Sequence, residues 1–173
     1  MSFFNKYTNK VVKYDLINKF RYKNIKKLPK LQYVLLNFNL PKNDTKKLIP
    51  LISSLKLIML QDSKITISKT SNIVLKISKG QPVGCKVTLR KLKMNEILFK
   101  LLNIILPKSK YNYENNTNAI FSLSLENPLI FDELENNYQF FKVLPKLNIS
   151  VKFTNCSIEE FFFLIQTYKL INL

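Results

Sequence analysis

The sequence has no histidine and no tryptophan among its 173 residues, and it has only two glycines and two cysteines. Histidine is the most frequent general acid–base residue, so its absence removes the usual triads and Cys/His pairs. Cys85 and Cys156 lie too far apart in the sequence for a metal-binding pair and are expected to be free thiols in a reducing compartment. The phosphate-binding motif GxxxxGK[ST] is also missing. We therefore predict a protein that is not an enzyme, with no catalytic residues, no metal and no cofactor.

Long hydrophobic runs are absent too. The longest apolar run, 48–60, contains Pro50 and Lys56 and is too short to span a bilayer, so no membrane span is expected. Apolar residues nevertheless make up 46% of the chain, which is enough for a core. The length predicts a single domain over 1–173, with an N-terminal helix (3–22), a sheet and loop region (31–92) and a C-terminal part (93–173).

Negative charge is scarce in the first two thirds of the chain. Residues 1–110 contain 24 basic and 4 acidic side chains, whereas residues 111–173 contain 4 basic and 7 acidic ones, and the formal net charge is +17. Such an excess implies a polyanionic partner, which could be nucleic acid, an anionic membrane surface or an acidic protein. A lysine-rich surface caused only by genome composition would not explain the asymmetry. The 26 lysines, 2 arginines and 20 asparagines do indicate an A+T-rich genome, such as that of an organelle.

The hydrophobic pattern predicts an α+β fold, with a mostly antiparallel sheet, helices packed on one face and a protruding basic hairpin loop. Asp44 is expected to cap a helix that ends near Leu60 and that Pro50 kinks or splits. A second helix should stop at Pro107, residues 108–118 should form a loop, and Ser157 should cap the last helix with Glu160 in a capping box. The predicted strands are 31–40, 64–68, 72–77, 85–92, 119–126 and 147–154.

Both glycines fall in one segment, KGQPVGCKVTLR (79–90). Gly80 and Gly84 allow backbone conformations and close approaches that other residues avoid, and Pro82 stiffens the loop between them. The alternation that follows directs Val87 and Leu89 to the core, whereas Lys86, Thr88 and Arg90 share the outward face. A stiff loop flanked by basic residues suits contact with a phosphate backbone, although an ordinary hairpin turn is the simpler alternative. An acidic group downstream has no regular metal-loop spacing and is either a solvated face or a contact for a basic partner; it comprises Glu126, Asp132, Glu133 and Glu135.

Several segments resemble the bacterial-type L5 family of large-subunit ribosomal proteins. The segment KISKGQPVGCKVTLR (76–90) is similar to the family pattern K-I-R-x-G-x-P-I-G-C-K-V-T-L-R. LPKLQYVLLNFNL (28–40) and LQDSKITISKTS (60–71) resemble two further family motifs, as do the helix from Met94 and the ILPK that follows it. The family's pattern is not recognisable over 108–128, and this divergence, together with the A+T-rich usage, favours a mitochondrial ribosome over a bacterial or plastid one.

The resemblance implies a structural protein of the central protuberance that binds 5S rRNA and adjacent large-subunit rRNA. Many mitochondrial ribosomes lack 5S rRNA, which leaves large-subunit rRNA as the alternative. Carried over by position, the rRNA contacts are Asn37, Gln61, Thr66, Lys86, Thr88 and Arg90. The loop 71–84 is expected to approach the P-site tRNA, with Lys76, Lys79, Gly80, Gln81, Pro82 and Gly84. Partner proteins are expected among large-subunit neighbours and in the small-subunit head, the latter at Asp132, Glu133 and Glu135.

Two functions of other classes remain open from the sequence. One is a membrane-surface or ribosome-assembly factor that uses the basic helix 3–22, which would sediment with liposomes instead of ribosomes. The other is an RNA-modifying enzyme, which the missing histidine and the missing catalytic spacings disfavour.

Overall fold

The computed structural model describes residues 3–40, 47–108, 111–116, 119–154 and 156–170. It has the predicted α+β class, with six strands in one sheet in which every neighbouring pair is antiparallel. The strands are β1 (Leu31–Asn39), β2 (Lys64–Ile67), β3 (Pro82–Leu89), β4 (Tyr111–Asn116), β5 (Ile120–Leu125) and β6 (Leu147–Phe153), in the spatial order β2-β3-β1-β6-β5-β4.

Helices precede, separate and follow these strands. The first, α1, covers residues 3–20 and contains a π-helical turn at Thr8–Val12. The third, α3, covers residues 91–108 and contains a second π-helical turn at Leu101–Ile105. The others are α2 (Leu48–Met59), α4 (Asp132–Glu135), α5 (Tyr138–Phe141) and α6 (Ile158–Thr167), with 3-10 turns at Ile25–Lys27 and Pro128–Ile130.

Period-two alternation places the core on one face of the sheet. In β6 the side chains of Leu147, Ile149, Val151 and Phe153 are all fully buried, and the residues between them are not. β1, β3 and β5 alternate in the same way, and the buried faces of α1, α2, α3 and α6 join their inward side chains in a single cluster. Burial of each large apolar side chain contributes about 1.5–3 kcal/mol, so this face is the main source of stability.

Polar and aromatic contacts fix the N-terminal helix against the rest of the fold. The Tyr7 hydroxyl donates to the carbonyl oxygen of Thr167 (2.9 Å), and the ring of Phe4 stacks on Tyr168 with centroids 5.6 Å apart. Asn95 Nδ2 of α3 donates to Asn5 Oδ1 of α1 (2.6 Å). These contacts hold α1 between α6 and α3.

Two proline predictions are wrong for local reasons. Pro50 does not split α2, because it lies in the first turn, where a backbone N–H has no intrahelical partner. α3 continues past Pro107 to Lys108, and the π-helical turn before it gives the ring more room than a regular turn would. Asp44, the predicted helix cap, lies outside the described residues.

One strand prediction and one loop prediction are also wrong. Residues 72–77 form a tight turn closed by one bridge between Asn72 and Ile77, because no strand of the described residues lies beside this segment. In the segment predicted as a loop, Tyr111–Asn116 pairs along its length with β5. The capping box at Ser157 and Glu160 is confirmed. The predicted strands 31–40, 64–68, 119–126 and 147–154 are found with ends that differ by at most one residue. The strand predicted over 85–92 instead covers Pro82–Leu89, because a helix already begins at Lys91.

Candidate nucleic-acid interface

The face of the sheet opposite the helices, here called the open face, carries a straight row of polar side chains. Each member of the row lies directly opposite the next on the neighbouring strand. None of the five is buried. Because adjacent strands are 4.7–4.9 Å apart, the row extends for about 19 Å across five strands. In spatial order it consists of Lys64, Lys86, Asn37, Asn148 and Ser124.

At the β2–β3 end the open face deepens into a concavity of about 620 Å³. The side-chain amide of Gln61 donates to the carbonyl oxygen of Thr88 (3.3 Å), which ties the segment before β2 to β3. Lys93 Nζ donates to the carbonyl oxygen of Leu60 (3.0 Å) and fixes the same segment from the side of α3. The concavity is lined by Gln61, Asp62, Lys64, Lys86, Val87, Thr88 and Arg90.

The charge in this concavity is mainly positive. Lys64, Lys86 and Arg90 contribute three cations, whereas Asp62 is the single acidic residue in its lining. Asp62 forms an exposed ion pair with Lys56 (2.8 Å). The hydrogen bond from Lys56 lowers the pKa of Asp62, and the charges of Lys56 and Lys93 add to the effect. The concavity therefore presents a cationic surface that suits phosphate oxygens.

Asn37 occupies the centre of the row, where it lies on β1 between the fully buried Leu36 and Phe38. Its Nδ2 donates to Asn39 Oδ1 (2.9 Å). Its Oδ1 is shielded from solvent and accepts no hydrogen bond from the described part of the chain. A buried acceptor without a donor costs about 1–3 kcal/mol, so this atom favours a ligand that brings a donor, such as an RNA hydroxyl or amino group.

Gly84 lies within β3 instead of in a loop, which corrects the predicted extent of the loop. It pairs with Asn39 of β1 and with Thr66 of β2, and Pro82 also belongs to the strand. A Cβ atom at Gly84 would lie 2.1 Å from the carbonyl oxygen of Phe38, so only glycine fits there. Gly84 thus permits the close approach of β1 and β3 on which the open face depends.

The hairpin that joins β2 to β3, residues 68–81, is held by its own backbone. Ser68 N donates to the Gln81 carbonyl and Gly80 N donates to the Ser68 carbonyl, both at 2.9 Å. Gly80 has a φ of 88°, which favours glycine, and the Gln81 side chain accepts from Ser78 N (2.9 Å). At the tip, Ile73 and Val74 are 92% and 90% exposed. The basic hairpin predicted from the sequence is therefore present, with an apolar tip that the sequence prediction missed.

The acidic residues lie around α4. Asp132 and Glu135 are exposed, whereas Glu133 is half-buried and forms an ion pair with Lys100 of α3. Glu126 is paired with Lys146 (3.0 Å). Two of the three predicted contact residues, Asp132 and Glu135, thus present their carboxylates to solvent.

The structure brings together most of the residues that the sequence singled out for RNA contact. Gln61, Lys86, Thr88 and Arg90 line the concavity, Asn37 lies beside Lys86 in the row, and Thr66 is on the open face opposite Gly84. The sequence prediction missed three members of the row. Lys64 alternates with apolar Ile65, which was a usable signal, whereas Asn148 and Ser124 join the row only through strand order.

The cysteines have no feature of a reactive site. Both are free, Cys85 is fully buried, and burial raises the pKa of its thiol to about 12. Burial also raises the pKa of Cys156, and the nearby charge of Glu160 adds to that effect. Among the described residues, no three metal-ligating side chains are grouped, and no helix there is long and apolar enough to cross a membrane.

Comparison with known proteins gives consistent matches. Residues 82–170 match the model of the C-terminus of the ribosomal L5 family. The chain is 37% identical over 139 residues to large ribosomal subunit protein uL5 of Clostridium tetani, and this alignment covers 75% of this chain and 76% of that protein. It is 34% identical over 169 residues to uL5 of Geotalea uraniireducens, covering 92% of each chain. It is 36% identical over 139 residues to uL5 of Clostridium acetobutylicum. The second similarity extends over almost the whole of both proteins.

Proposed function

Because the chain belongs to the ribosomal L5 family, whose members are structural constituents of the large ribosomal subunit, we propose that it binds 5S rRNA and adjacent large-subunit rRNA through its open face. Membership of this family also makes the chain a structural protein and not an enzyme. Its partners are ribosomal RNA and ribosomal proteins.

The observation that carries the RNA proposal is the polar row and the cationic concavity on the face opposite the helices. A phosphate backbone gains affinity from lysine and arginine by counterion release, and its position is fixed by hydrogen bonds to amides and hydroxyls. The open face offers both kinds of group side by side: Lys86 and Arg90 supply charge, while Asn37 and Thr88 supply hydrogen bonds. Recognition of this kind reads the shape of folded RNA more than its sequence.

The hairpin 68–81 is proposed to approach the P-site tRNA in the central protuberance. Its backbone hydrogen bonds keep it extended from the sheet, and it carries Lys69, Lys76 and Lys79. The exposed Ile73 and Val74 at its tip supply an apolar surface suited to the face of an unpaired base. The contact residues are proposed to be Lys76, Lys79, Gly80 and Gln81, while Pro82 and Gly84 act as part of the strand that supports the hairpin.

The acidic surface at Asp132 and Glu135 is proposed to contact a basic protein of the small-subunit head. Glu133 contributes to this surface indirectly, because its ion pair with Lys100 fixes α4 against α3. The lysine- and asparagine-rich composition supports an organellar ribosome, and the divergence of 108–128 from the family pattern supports a mitochondrial one, with a plastid as the alternative.

The proposal is tested with the purified protein and two RNA probes, 5S rRNA and a large-subunit rRNA fragment, in a filter-binding titration over a range of salt. We expect saturable binding, and the logarithm of the association constant should fall linearly with the logarithm of the salt concentration. Isolation of the native particle and sequencing of its small RNAs identifies which RNA is present. Sedimentation with anionic liposomes in place of ribosomal particles would instead support a membrane-surface factor and reject the proposal.

A further inference from the structure

A second candidate site lies away from the open face, between α1, the start of β1 and α3. It is a cavity of about 220 Å³. One wall is the π-helical turn of α1, which contributes Thr8, Asn9 and Val12. π-Helical turns inside α-helices are rare and frequently occur at functional sites. The opposite wall is formed by Met94 and Asn95 of α3.

The cavity has an apolar floor and a polar rim. Val12, Leu16, Leu28, Met94 and Tyr168 are all buried and form the floor. At the rim, the bond from Asn95 Nδ2 to Asn5 Oδ1 uses one of the donor's two hydrogens and one of the acceptor's two lone pairs. The two carboxamides are therefore oriented by each other and keep further donor and acceptor capacity.

The size of the cavity restricts what it can hold. Pockets for drug-sized ligands measure about 300–1,000 Å³, so this cavity is too small for most of them. A cavity of about 150 Å³ is enough for a six-membered aromatic ring. A flat heterocycle with hydrogen-bonding edges satisfies both the volume and the pairing of an apolar floor with a carboxamide rim.

The positive charge around the mouth of the cavity favours a heterocycle that carries phosphate groups. Lys13 and Lys30 line the cavity, and the backbone of Lys30 is fixed by Thr154, whose N–H donates to the Lys30 carbonyl (2.9 Å). Residues 1–30 contain nine basic side chains and one acidic side chain. Phosphates on either side of a bound base would lie in this field.

We propose that this cavity binds one unpaired nucleobase of a ribosomal RNA strand, with the Asn5 and Asn95 carboxamides on the edge of the base and Lys13 and Lys30 on the flanking phosphates. The inference rests on the proposed RNA-binding function but concerns a separate surface. Through this site, α1 would recognise unpaired nucleotides such as bulges, whereas the open face recognises the shape of folded RNA.

The test compares three fluorescent 16-base-pair RNA duplexes by anisotropy: one fully paired, one with a single-nucleotide bulge and one with an abasic bulge. Each of the four bases is tried in the bulge. We expect the wild-type protein to bind at least one bulged duplex about fivefold or more tightly than both the paired and the abasic duplex. Asn5→Leu and Asn95→Leu should each remove this preference. Asn18→Leu, an exposed position on the same helix, is the matched control and should retain it.

Circular dichroism and thermal melting establish whether each variant is folded. If the Asn95→Leu variant does not fold, the Asn5→Leu variant provides the test, because Asn5 is only half-buried. Equal binding of paired and bulged duplexes by the wild type would overturn the inference and leave the proposed function intact. Binding of no duplex in dilute salt would overturn both. AMP is added as a second probe: if AMP alone binds and the bulge gives no preference, the cavity is a site for a free nucleotide and the inference is wrong.

Discussion

Gly84 approaches Phe38 so closely that a Cβ atom at position 84 would lie 2.1 Å from the Phe38 carbonyl oxygen. This contact joins β3 to β1, the pair of strands that carries Lys86 and Asn37. The atom in the way belongs to the backbone of a central strand, so it cannot move aside as a flexible side chain would. The geometry of the candidate RNA surface thus depends on the absence of a side chain at one position.

The first prediction is that Gly84→Ala lowers the free energy of unfolding by about 3 kcal/mol or more, because the strands must separate to admit the methyl group. Gly80→Ala is the matched control. Its φ of 88° makes the substitution cost about 1–2 kcal/mol, but no atom lies within 4 Å of the added Cβ. Urea denaturation measures both. Equal losses at the two positions would show that the close approach to Phe38 is unimportant.

The second prediction concerns the concavity. Thr88→Ala and Arg90→Ala should weaken binding of 5S rRNA, or of the large-subunit rRNA fragment, and leave the melting temperature unchanged. Lys64→Ala and Lys86→Ala should also reduce the slope of log affinity against log salt by about 0.7–0.9 each, since each removes one phosphate contact. Lys142→Ala, at an exposed lysine of the C-terminal part, should leave the slope unchanged. Unaltered affinity in the Arg90 and Lys86 variants would refute the assignment.

The third prediction is that the double substitution of Ile73 and Val74 by serine leaves stability within about 0.5 kcal/mol of wild type, because both side chains are almost fully exposed. Ribosomal particles that carry this variant should bind P-site tRNA more weakly. Ile49→Ser, at an exposed position on α2, is the control. Normal tRNA affinity in a particle filter-binding assay would argue against a tRNA contact at the tip.

The fourth prediction is that Asp132→Lys combined with Glu135→Lys weakens association of the two ribosomal subunits. Both residues are exposed, so the change should not affect folding. Glu159→Lys, a single charge reversal at the start of α6, is the control elsewhere on the surface. Sucrose-gradient profiles at limiting magnesium measure the effect, and identical profiles for all three proteins would contradict the prediction.

The fifth prediction uses the buried thiol of Cys85. Burial raises its pKa from 9.0 to about 12. The contribution of the neutral thiol to the free energy of unfolding is therefore fully present below pH 9 and is lost as the pH rises towards 12. Relative to Cys85→Ala, the wild type should lose about 2 kcal/mol of unfolding free energy between pH 8 and pH 10.5. Denaturation at the two pH values under reducing conditions provides the measurement. If the wild type and the Cys85→Ala variant lose the same free energy of unfolding between the two pH values, Cys85 does not titrate on unfolding.

Local patterns predict the structure correctly where it depends on neighbours in sequence. The alternation in 147–154 and 119–126 identifies which side chains are buried, and Ser157 with Glu160 identifies the start of α6. The same reasoning fails at 72–77, where Ile73 and Val74 have strand propensity but pair with no strand in the part of the chain that the structure describes. It also fails at 111–116, a polar segment that forms a strand because β5 offers it an edge.

The order of amino acids is enough to show the charge asymmetry, the two-residue period of the strands, the lack of histidine and of catalytic motifs, and the resemblance to the L5 family. The fold was needed to show that Gly84 lies inside a strand and that Lys64 and Asn148 form one row with Lys86 and Asn37. It was also needed to show that a cavity with a carboxamide rim lies between α1 and the start of β1. The reason is that strand order and helix packing join residues far apart in the chain. Local propensities contain no information about which of these distant segments become neighbours.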